Sequence, residues 1–306
     1  MNRLLAIVGP TAIGKTQLSL RLAQNFNAEI VSADSRQLYR HMDIGTAKPI
    51  REELSLVPHY LINTINPDED FSLAQYQQLT YSAINDIHKR NKLPILVGGS
   101  GMYIWAVLEG WGVPKVPPNR TLRRSLEEKA AVESGREELY QELATVDPVA
   151  TQRIDPRNVR RVIRALEVYK ETGTKFSQLQ QKNPPDYDIF IIGLTTNREE
   201  LYRRIDQRVD KMLEEGLIAE VEKLTNMGYG FDLPAMSALG YKEISMFLRG
   251  GLTLESAIQQ MKFETHRFAR YQYSWFRLKD VRINWLDIQR AADGEVMELL
   301  LAFMKE

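Results

Sequence analysis

The sequence has no cysteine among its 306 residues. Disulfide bonds within the chain and zinc sites built from thiolates are therefore excluded. Histidine is scarce as well, and His41, His59, His88 and His266 lack the close spacing that is typical of metal ligands. Any bound metal is therefore expected to take oxygen ligands.

Long apolar runs and an excess of one charge are also missing. No stretch approaches the roughly 20 apolar residues that cross a bilayer, and Met1–Arg3 lead directly into a short apolar segment. We therefore expect a cytoplasmic protein with no membrane association. Lysine plus arginine number 40, as do aspartate plus glutamate, so only local clusters of charge can indicate a nucleic-acid partner.

What the sequence does contain is an alternation of apolar runs and helical patterns. Leu4–Val8, Ile30–Ala33 and Pro94–Val97 are predicted to be buried strands. Helices are predicted at 17–24 and 73–90. This order predicts an α/β fold, a parallel sheet flanked by helices of the kind found in P-loop NTPases.

A change of composition predicts a second domain. Gly110–Pro118 is typical of a linker, and the next 60 or so residues are helical in pattern and rich in charge. Asp188–Leu194 then restores a strand pattern, and three or four helices are expected to close the chain. We therefore predict a core of residues 1–112 and 186–306 with an inserted helical domain at 113–185.

A phosphate-binding loop follows the first predicted strand. The motif G-x-x-x-x-G-K-S/T is matched by Gly9, Pro10, Thr11, Ala12, Ile13, Gly14, Lys15 and Thr16. Backbone N–H groups and a helix N-terminus would surround phosphate oxygens, while Lys15 adds a positive charge and the Thr16 hydroxyl ligates Mg²⁺. Since the strand ending at Val97 is followed by glycines and Ser100 instead of an acidic residue, the bound group is better explained as a pyrophosphate leaving group than as a hydrolysed nucleotide.

Asp34 is the carboxylate best placed beside this loop. It follows the second predicted strand, at the edge where parallel sheets of this kind bind ligands. A purely structural alternative stays open, in which Asp34 caps the turn that begins at Asp34–Ser35.

Five motifs follow one another along the chain: Gly9–Thr16, Asp34–Tyr39, Met42–Pro49, Gly98–Tyr103 and Leu239–Glu243. Together they resemble the isopentenyl pyrophosphate transferase family, the tRNA dimethylallyltransferases of the bacterial type. The resemblance implies transfer of the dimethylallyl group from dimethylallyl pyrophosphate to the N6 amine of the adenosine immediately 3′ of the anticodon. The products would be N6-isopentenyladenosine and pyrophosphate, with Mg²⁺ assisting.

The resemblance also implies roles for individual residues. Asp34 would be the general base, with Ser100 beside it in the catalytic site, and either Arg204 or Arg208 would join the P-loop in holding pyrophosphate. The expected tRNA contacts, of which Arg123 follows from the resemblance, are Asp34, Ser35, Arg36, Gln37, Ser100, Arg123, Arg157, Arg160, Arg161 and Arg164. Ser100 departs from the threonine usual in the family but keeps a hydroxyl. Tyr60 and Asn63 replace the usual histidine and aspartate, so we expect no catalytic role there.

Two predicted helices offer basic faces for RNA. Asp155–Pro156 is predicted to start the first, with an apolar stripe on one side and Arg157, Arg160, Arg161 and Arg164 on the other. An ordinary solvated helix face is the alternative. In the second, the aromatic and apolar residues Phe268, Tyr271, Trp275 and Leu278 are predicted to be buried. The opposite, mainly basic face comprises His266, Arg270, Tyr273 and Arg277.

Three rival functions remain compatible with these motifs. An adenylate prenyltransferase would use the same loop and base on free AMP, and a P-loop kinase would phosphorylate a small metabolite. A non-catalytic RNA-binding module is the third. The expected partners are the anticodon stem-loop of tRNA and dimethylallyl pyrophosphate, and a monomer is the expected form.

Overall fold

The computed structural model describes residues 2–116, 119–290 and 293–305. The chain divides into two compact units. The first comprises Met1–Phe71, Tyr76–Trp105 and Asp186–Glu306, and the second comprises Ser72–Gln75 and Ala106–Pro185. The second unit thus begins before the predicted boundary at residue 113 and ends at the predicted one. Among the described residues, no helix has both the length and the apolar character needed to cross a membrane.

The first unit is built on a six-stranded sheet in which all neighbouring strands run parallel. The strands are β1 Arg3–Val8, β2 Ala28–Ser32, β3 His59–Tyr60, β4 Leu93–Val97, β5 Asp188–Thr195 and β6 Ile283–Asp287. Their order across the sheet is β3-β2-β4-β1-β5-β6. Leu4–Val8 are fully buried in the centre of this sheet, as expected for a strand covered by helices on both faces.

Helices flank this sheet. Those wholly or mainly in the first unit are α1 Lys15–Asn25, α2 Arg51–Leu56, α3 Leu73–Lys89, α4 Gly101–Leu108, α10 Arg198–Glu214, α11 Leu217–Asn226, α12 Tyr241–Leu248, α13 Leu254–Trp275 and α14 Asp293–Lys305. A short 3₁₀ helix lies at Pro234–Ser237. The predicted α/β fold with a parallel sheet is confirmed.

The closing part of the chain differs from its prediction of three or four helices. It contains five described α-helices and the strand β6, which pairs with β5 at the edge of the sheet. Ile283 and Leu286 of β6 are buried while Asn284 between them is exposed. This strand was missed because its short, half-polar sequence resembles a loop more than a buried strand.

The face that α13 buries was predicted wrongly. Phe268 and Tyr271 are 38% and 57% exposed, Trp275 is half-buried, and Leu278 lies beyond the end of the helix and is 57% exposed. The residues buried on this helix are Ala257, Met261, Ala269 and Gln272. The buried face is therefore formed mainly by residues other than the aromatic ones.

The second unit is a small helical domain with its own apolar core. Its helices are α5 Arg120–Lys129, α6 Glu133–Val146, α7 Pro148–Thr151, α8 Val159–Thr172 and α9 Phe176–Leu179. Leu126, Leu139, Leu143, Ile163 and Leu166 are buried in this core.

The start of α8 was also predicted wrongly. Asn158 caps this helix by accepting a hydrogen bond from the backbone N–H of Arg161 at 3.2 Å. Asp155 instead accepts from the backbone N–H of Arg157 at 2.9 Å and pairs with its guanidinium. This local bond stabilises a turn, so the helix begins four residues after Asp155.

Candidate active site

Three loops meet at the carboxyl edge of the sheet because β4 lies between β1 and β2. The P-loop Gly9–Thr16 follows β1, Asp34 follows β2, and Gly98–Ser100 follows β4. The P-loop, Asp34 and Gly98–Gly99 line one cavity of about 840 Å³. Ligands of open parallel sheets bind at this edge, so the cavity is the candidate active site.

The P-loop has the backbone needed to hold an anion. Gly14 is the residue before α1 and has a φ of +102°, a conformation that L side chains rarely adopt. The Lys15 ammonium donates to the carbonyls of Gly9 at 3.0 Å and Pro10 at 2.7 Å, which holds it against the loop. The loop therefore presents a helix N-terminus and a lysine to the same space.

Lys15 lies in a strongly perturbed electrostatic environment. Burial away from water and repulsion from Arg208 lower the pKa of Lys15 to about 7, against the attraction of Asp34. Burial also lowers the pKa of Arg208, again opposed by Asp34. Lys15, Arg208 and Asp34 thus interact with one another beside the P-loop, an arrangement suited to a highly charged anion.

The two candidate arginines of α10 are placed differently. The Arg204 guanidinium donates to Glu200 at 2.6 Å, and its side chain is 37% exposed. Arg208 is the one that interacts electrostatically with both Lys15 and Asp34. Both line the cavity, but Arg208 is the arginine beside the P-loop.

Asp34 is fixed by the turn that it begins. Its Oδ1 accepts the backbone N–H of Arg36 at 2.8 Å, which is an Asx turn. Within the described part of the chain, no hydrogen bond to its Oδ2 is present. The structural alternative therefore accounts for one carboxylate oxygen, and the other stays available to a ligand in the cavity.

The remaining residues predicted around the base are engaged in holding this loop. The Ser100 hydroxyl accepts the backbone N–H of Ser35 at 3.0 Å and donates to its hydroxyl at 3.3 Å. The Gln37 amide accepts from the Ser32 hydroxyl at 3.0 Å and donates to two backbone carbonyls of the Met42–Pro49 segment. Arg36 donates to the Pro234 carbonyl at 3.0 Å. Gln37 lines the cavity, whereas Ser100 does not.

Gln272 of α13 is a site residue that the sequence did not reveal. Its buried amide accepts the backbone N–H of Thr11 at 2.7 Å and donates to the carbonyl of Gly99 at 3.0 Å. One side chain thus joins the P-loop to the loop after β4. Its signal is the burial of a polar residue among small residues on α13, which the structure shows and the sequence does not.

The family substitutions at Tyr60 and Asn63 have structural uses. The Tyr60 hydroxyl donates to the buried carboxylate of Glu29 at 2.8 Å, a carboxylate that also pairs with Arg90 and Lys92. Asn63 accepts a hydrogen bond from the Lys48 ammonium at 2.6 Å.

The oxygen ligands at the site fit Mg²⁺. Thr16 and Asp34 both line the cavity, and in the described ranges the Thr16 hydroxyl donates to no protein group. Mg²⁺ is commonly bound by one or two protein oxygens together with phosphates and water. The described residues contain no cluster of three or more His, Asp or Glu side chains that could hold a metal ion.

Four of the arginines predicted to contact RNA divide into two groups. Arg123 and Arg164 each donate to the buried carboxylate of Glu167 at 2.7 Å. Arg160 and Arg161 of α8 are exposed, and in the part of the chain that the structure describes their side chains make no hydrogen bond or ion pair. Glu167 lies three residues after Arg164 on this helix, and its pairing with the two arginines was not predicted.

A P-loop and a carboxylate at the carboxyl edge of a parallel sheet are typical of α/β proteins of the P-loop type. The family model described as IPP transferase matches residues 37–279, so the chain belongs to the IPP transferase family. It is 56% identical over 299 residues to a tRNA dimethylallyltransferase of Herpetosiphon aurantiacus, covering 97% of this chain and 94% of that protein. A tRNA dimethylallyltransferase of Dehalococcoides mccartyi is 51% identical over 303 residues, covering 99% and 93%.

Solved structures agree with this family. The crystal structure of a full-length tRNA isopentenylpyrophosphate transferase from Bacillus halodurans is 42% identical, with a TM-score of 0.73, covering 100% of this chain and 97% of that one. A eukaryotic dimethylallyltransferase acting on tRNA is 29% identical, with a TM-score of 0.83, covering 98% and 78%.

Proposed function

We propose that this chain transfers the dimethylallyl group of dimethylallyl pyrophosphate to the N6 amine of the adenosine immediately 3′ of the anticodon in tRNA. Relatives named tRNA dimethylallyltransferase match along nearly the whole chain. The observation that carries the proposal is one cavity that contains the P-loop, Arg208 and the Asp34 carboxylate. The cations can stabilise the negative charge of a pyrophosphate leaving group, and the carboxylate can accept the proton that the amine loses.

The donor reacts by cleavage of its carbon–oxygen bond, with negative charge growing on pyrophosphate. The N–H groups of the P-loop, Lys15 and Arg208 stabilise this charge where it develops. Mg²⁺ bound through Thr16 would add neutralising charge. Because the loop is held by its own backbone and by Gln272, these groups need little rearrangement as charge moves onto the leaving group.

The acceptor amine is a weak nucleophile because its lone pair is delocalised into the adenine ring. As its nitrogen bonds to the allylic carbon, its proton passes to the free Oδ2 of Asp34. The Asx turn leaves this oxygen available and fixes the carboxylate. A base in a stacked anticodon loop cannot reach a cavity, so the adenine enters it flipped out of the stack.

The allylic tail develops positive character and is captured by any water that reaches it. Apolar side chains of the cavity form the slot that excludes water. Those assigned to the slot are Ile44, Ala47, Leu54, Ile62 and Val97.

The RNA contacts are assigned by exposure. Arg160 and Arg161 are available to bind phosphates of the anticodon stem-loop, and Arg157 is exposed beside them. Arg123 and Arg164 contribute from a fixed position on Glu167. Such contacts would make binding strongly dependent on salt. We further propose a cytoplasmic monomer, since tRNA is cytoplasmic and one chain supplies every residue of the cavity.

The test is a transfer assay with radiolabelled dimethylallyl pyrophosphate and Mg²⁺. The acceptors are unmodified tRNA with adenine 3′ of the anticodon, the same tRNA with guanine there, and free AMP. Label in the first alone supports the proposal. Label in AMP would favour the adenylate prenyltransferase, and no label in any acceptor would refute prenyl transfer.

We expect the two arginines of α10 to contribute unequally to donor binding. Arg208→Ala removes a cation beside the P-loop and should weaken the affinity for an unreactive donor analogue by about 10- to 100-fold, as for a lost charged hydrogen bond. Arg204→Ala is the matched control, because it removes a cation that is already paired with Glu200. It should change the affinity for the analogue by about threefold or less. Calorimetric titration measures both. Equal losses would contradict the assignment of Arg208.

We expect the affinity for this analogue to fall as pH rises. The anion is bound best by protonated Lys15, whose pKa of about 7 means that it loses its proton in the free protein above that pH. The loss should approach about tenfold per unit between about pH 7 and about pH 9. Lys15→Arg keeps its charge throughout and serves as control. A wild-type profile that parallels this variant would contradict the prediction.

A further inference from the structure

Glu220 of α11 lies outside the cavity, yet it makes four hydrogen bonds beside the candidate active site. We infer that Glu220 is a positioning residue: it holds the 42–48 loop, and through this loop the turn that carries Asp34. The inference rests on the proposed function and adds to it a residue that does not touch substrate.

The carboxylate of Glu220 binds the backbone of the loop directly. It accepts the N–H groups of Asp43 and Ile44 at 2.9 Å each and of Gly45 at 3.2 Å. It also accepts the Tyr241 hydroxyl at 2.5 Å. Three successive N–H groups on one carboxylate leave this loop little freedom.

Packing fixes the same loop from the other side. A side chain at Gly45 would lie 2.4 Å from the ring of Tyr241, so only glycine allows this approach. Tyr241 is fully buried, and its hydroxyl completes the acceptor capacity of Glu220. Glycine, tyrosine and glutamate thus form one unit drawn from three separate parts of the sequence.

A continuous series of hydrogen bonds leads from this loop to Asp34. The carbonyls of Thr46 and Ala47 accept the Gln37 amide at 3.3 and 3.2 Å. Gln37 in turn accepts the Ser32 hydroxyl at 3.0 Å, and that hydroxyl accepts the backbone N–H of Asp34 at 3.4 Å.

A second support runs through Lys48, at the end of the loop. Its buried ammonium donates to Asp43 at 2.7 Å and to the carbonyl of Tyr39 at 2.5 Å. Ile44, Ala47 and Lys48 also line the cavity. Displacement of this loop would therefore move both the base and part of the apolar wall.

The P-loop depends on different contacts, chiefly those of Gln272. Glu220→Gln should therefore lower kcat while leaving the affinity for inorganic pyrophosphate nearly unchanged. We expect kcat for tRNA to fall about 10- to 100-fold, the effect of moving a catalytic group by about 1 Å. The Kd of inorganic pyrophosphate, which has no allylic tail to contact the apolar wall, should change by about threefold or less. Tyr241→Phe removes one of the four bonds and should give a smaller fall in kcat.

The matched control is Glu222→Gln, the same substitution at an exposed position of the same helix. Hydrogen exchange of the folded proteins gives a readout independent of activity. Glu220→Gln should raise exchange in residues 34–48 and leave β1 unchanged, while Glu222→Gln should alter neither.

Several outcomes would overturn the inference. They are wild-type kcat in Glu220→Gln, unchanged exchange in residues 34–48, and exchange raised equally throughout the sheet, which would indicate loss of stability alone. A wild-type protein that transfers no prenyl group would refute the proposed function. Even then, raised hydrogen exchange confined to residues 34–48 in Glu220→Gln would show that Glu220 holds this segment in place.

Discussion

Asp34→Asn will reduce prenyl transfer to tRNA by about 10²- to 10⁴-fold, the usual contribution of a general base. Asparagine keeps the shape of the side chain, and its Oδ1 can still accept the backbone N–H of Arg36 that fixes the turn. The variant loses the basic Oδ2, which has no hydrogen bond within the described residues. The effect should therefore fall on the chemical step, with the loop intact.

The measurement is a single-turnover rate with tRNA in excess, accompanied by the Kd of the donor analogue. The Kd should change by about threefold or less, because the P-loop and Arg208 are untouched. Asp68→Asn, at an exposed turn, is the control and should react at the wild-type rate. If Asp34→Asn also reacted at that rate, Asp34 would be a turn residue only.

Lys15→Ala should reduce the transfer rate by about 10²- to 10³-fold, as expected when one preorganised group is lost from a developing anion. The Lys15 ammonium lies against the Gly9 and Pro10 carbonyls of the loop, so its charge is already oriented. Unlike Asp34→Asn, this change should weaken donor binding as well, because the pyrophosphate is an anion in both the ground state and the transition state.

Steady-state assays with both substrates varied will separate the two effects. A fall in kcat together with a rise in the KM for the donor is expected for Lys15→Ala. Lys223→Ala, at an exposed position on α11, is the control for loss of a positive charge. A normal kcat in Lys15→Ala would show that the P-loop lysine only assists binding.

The sequence predicted those parts of the fold whose pattern is local. β1, β2, β4 and β5 are short apolar runs buried in the sheet, and the P-loop is a contiguous motif between a strand and a helix. Strand β6 was not predicted because it lies at the edge of the sheet, where polar residues are tolerated on one face. The buried face of α13 was not predicted because it consists of alanine, methionine and glutamine, whereas Phe268 and Tyr271 are exposed.

The candidate site was predictable where residues follow a strand end and unpredictable where they come from distant helices. Asp34 and Lys15 could be placed from their own neighbours in the sequence. Gln272 is 261 residues from its partner Thr11, and Glu220 is 177 residues from Asp43. Nothing in the local pattern of a surface-type glutamate distinguishes Glu220 from Glu222; only the fold brings it to three backbone N–H groups.

The repulsion between Lys15 and Arg208 also affects the stability of the folded protein. Folding brings two cations out of water and toward each other, and a pKa lowered to about 7 means that the folded state binds the Lys15 proton less well than the unfolded chain does. Since the unfolded chain then holds more protons above that pH, the contribution of Lys15 to stability is least favourable in acid and improves as the medium becomes alkaline. Anion binding follows the opposite trend. The protonated Lys15 ammonium therefore lowers the stability of the folded state, while it favours binding of an anionic ligand at the active site.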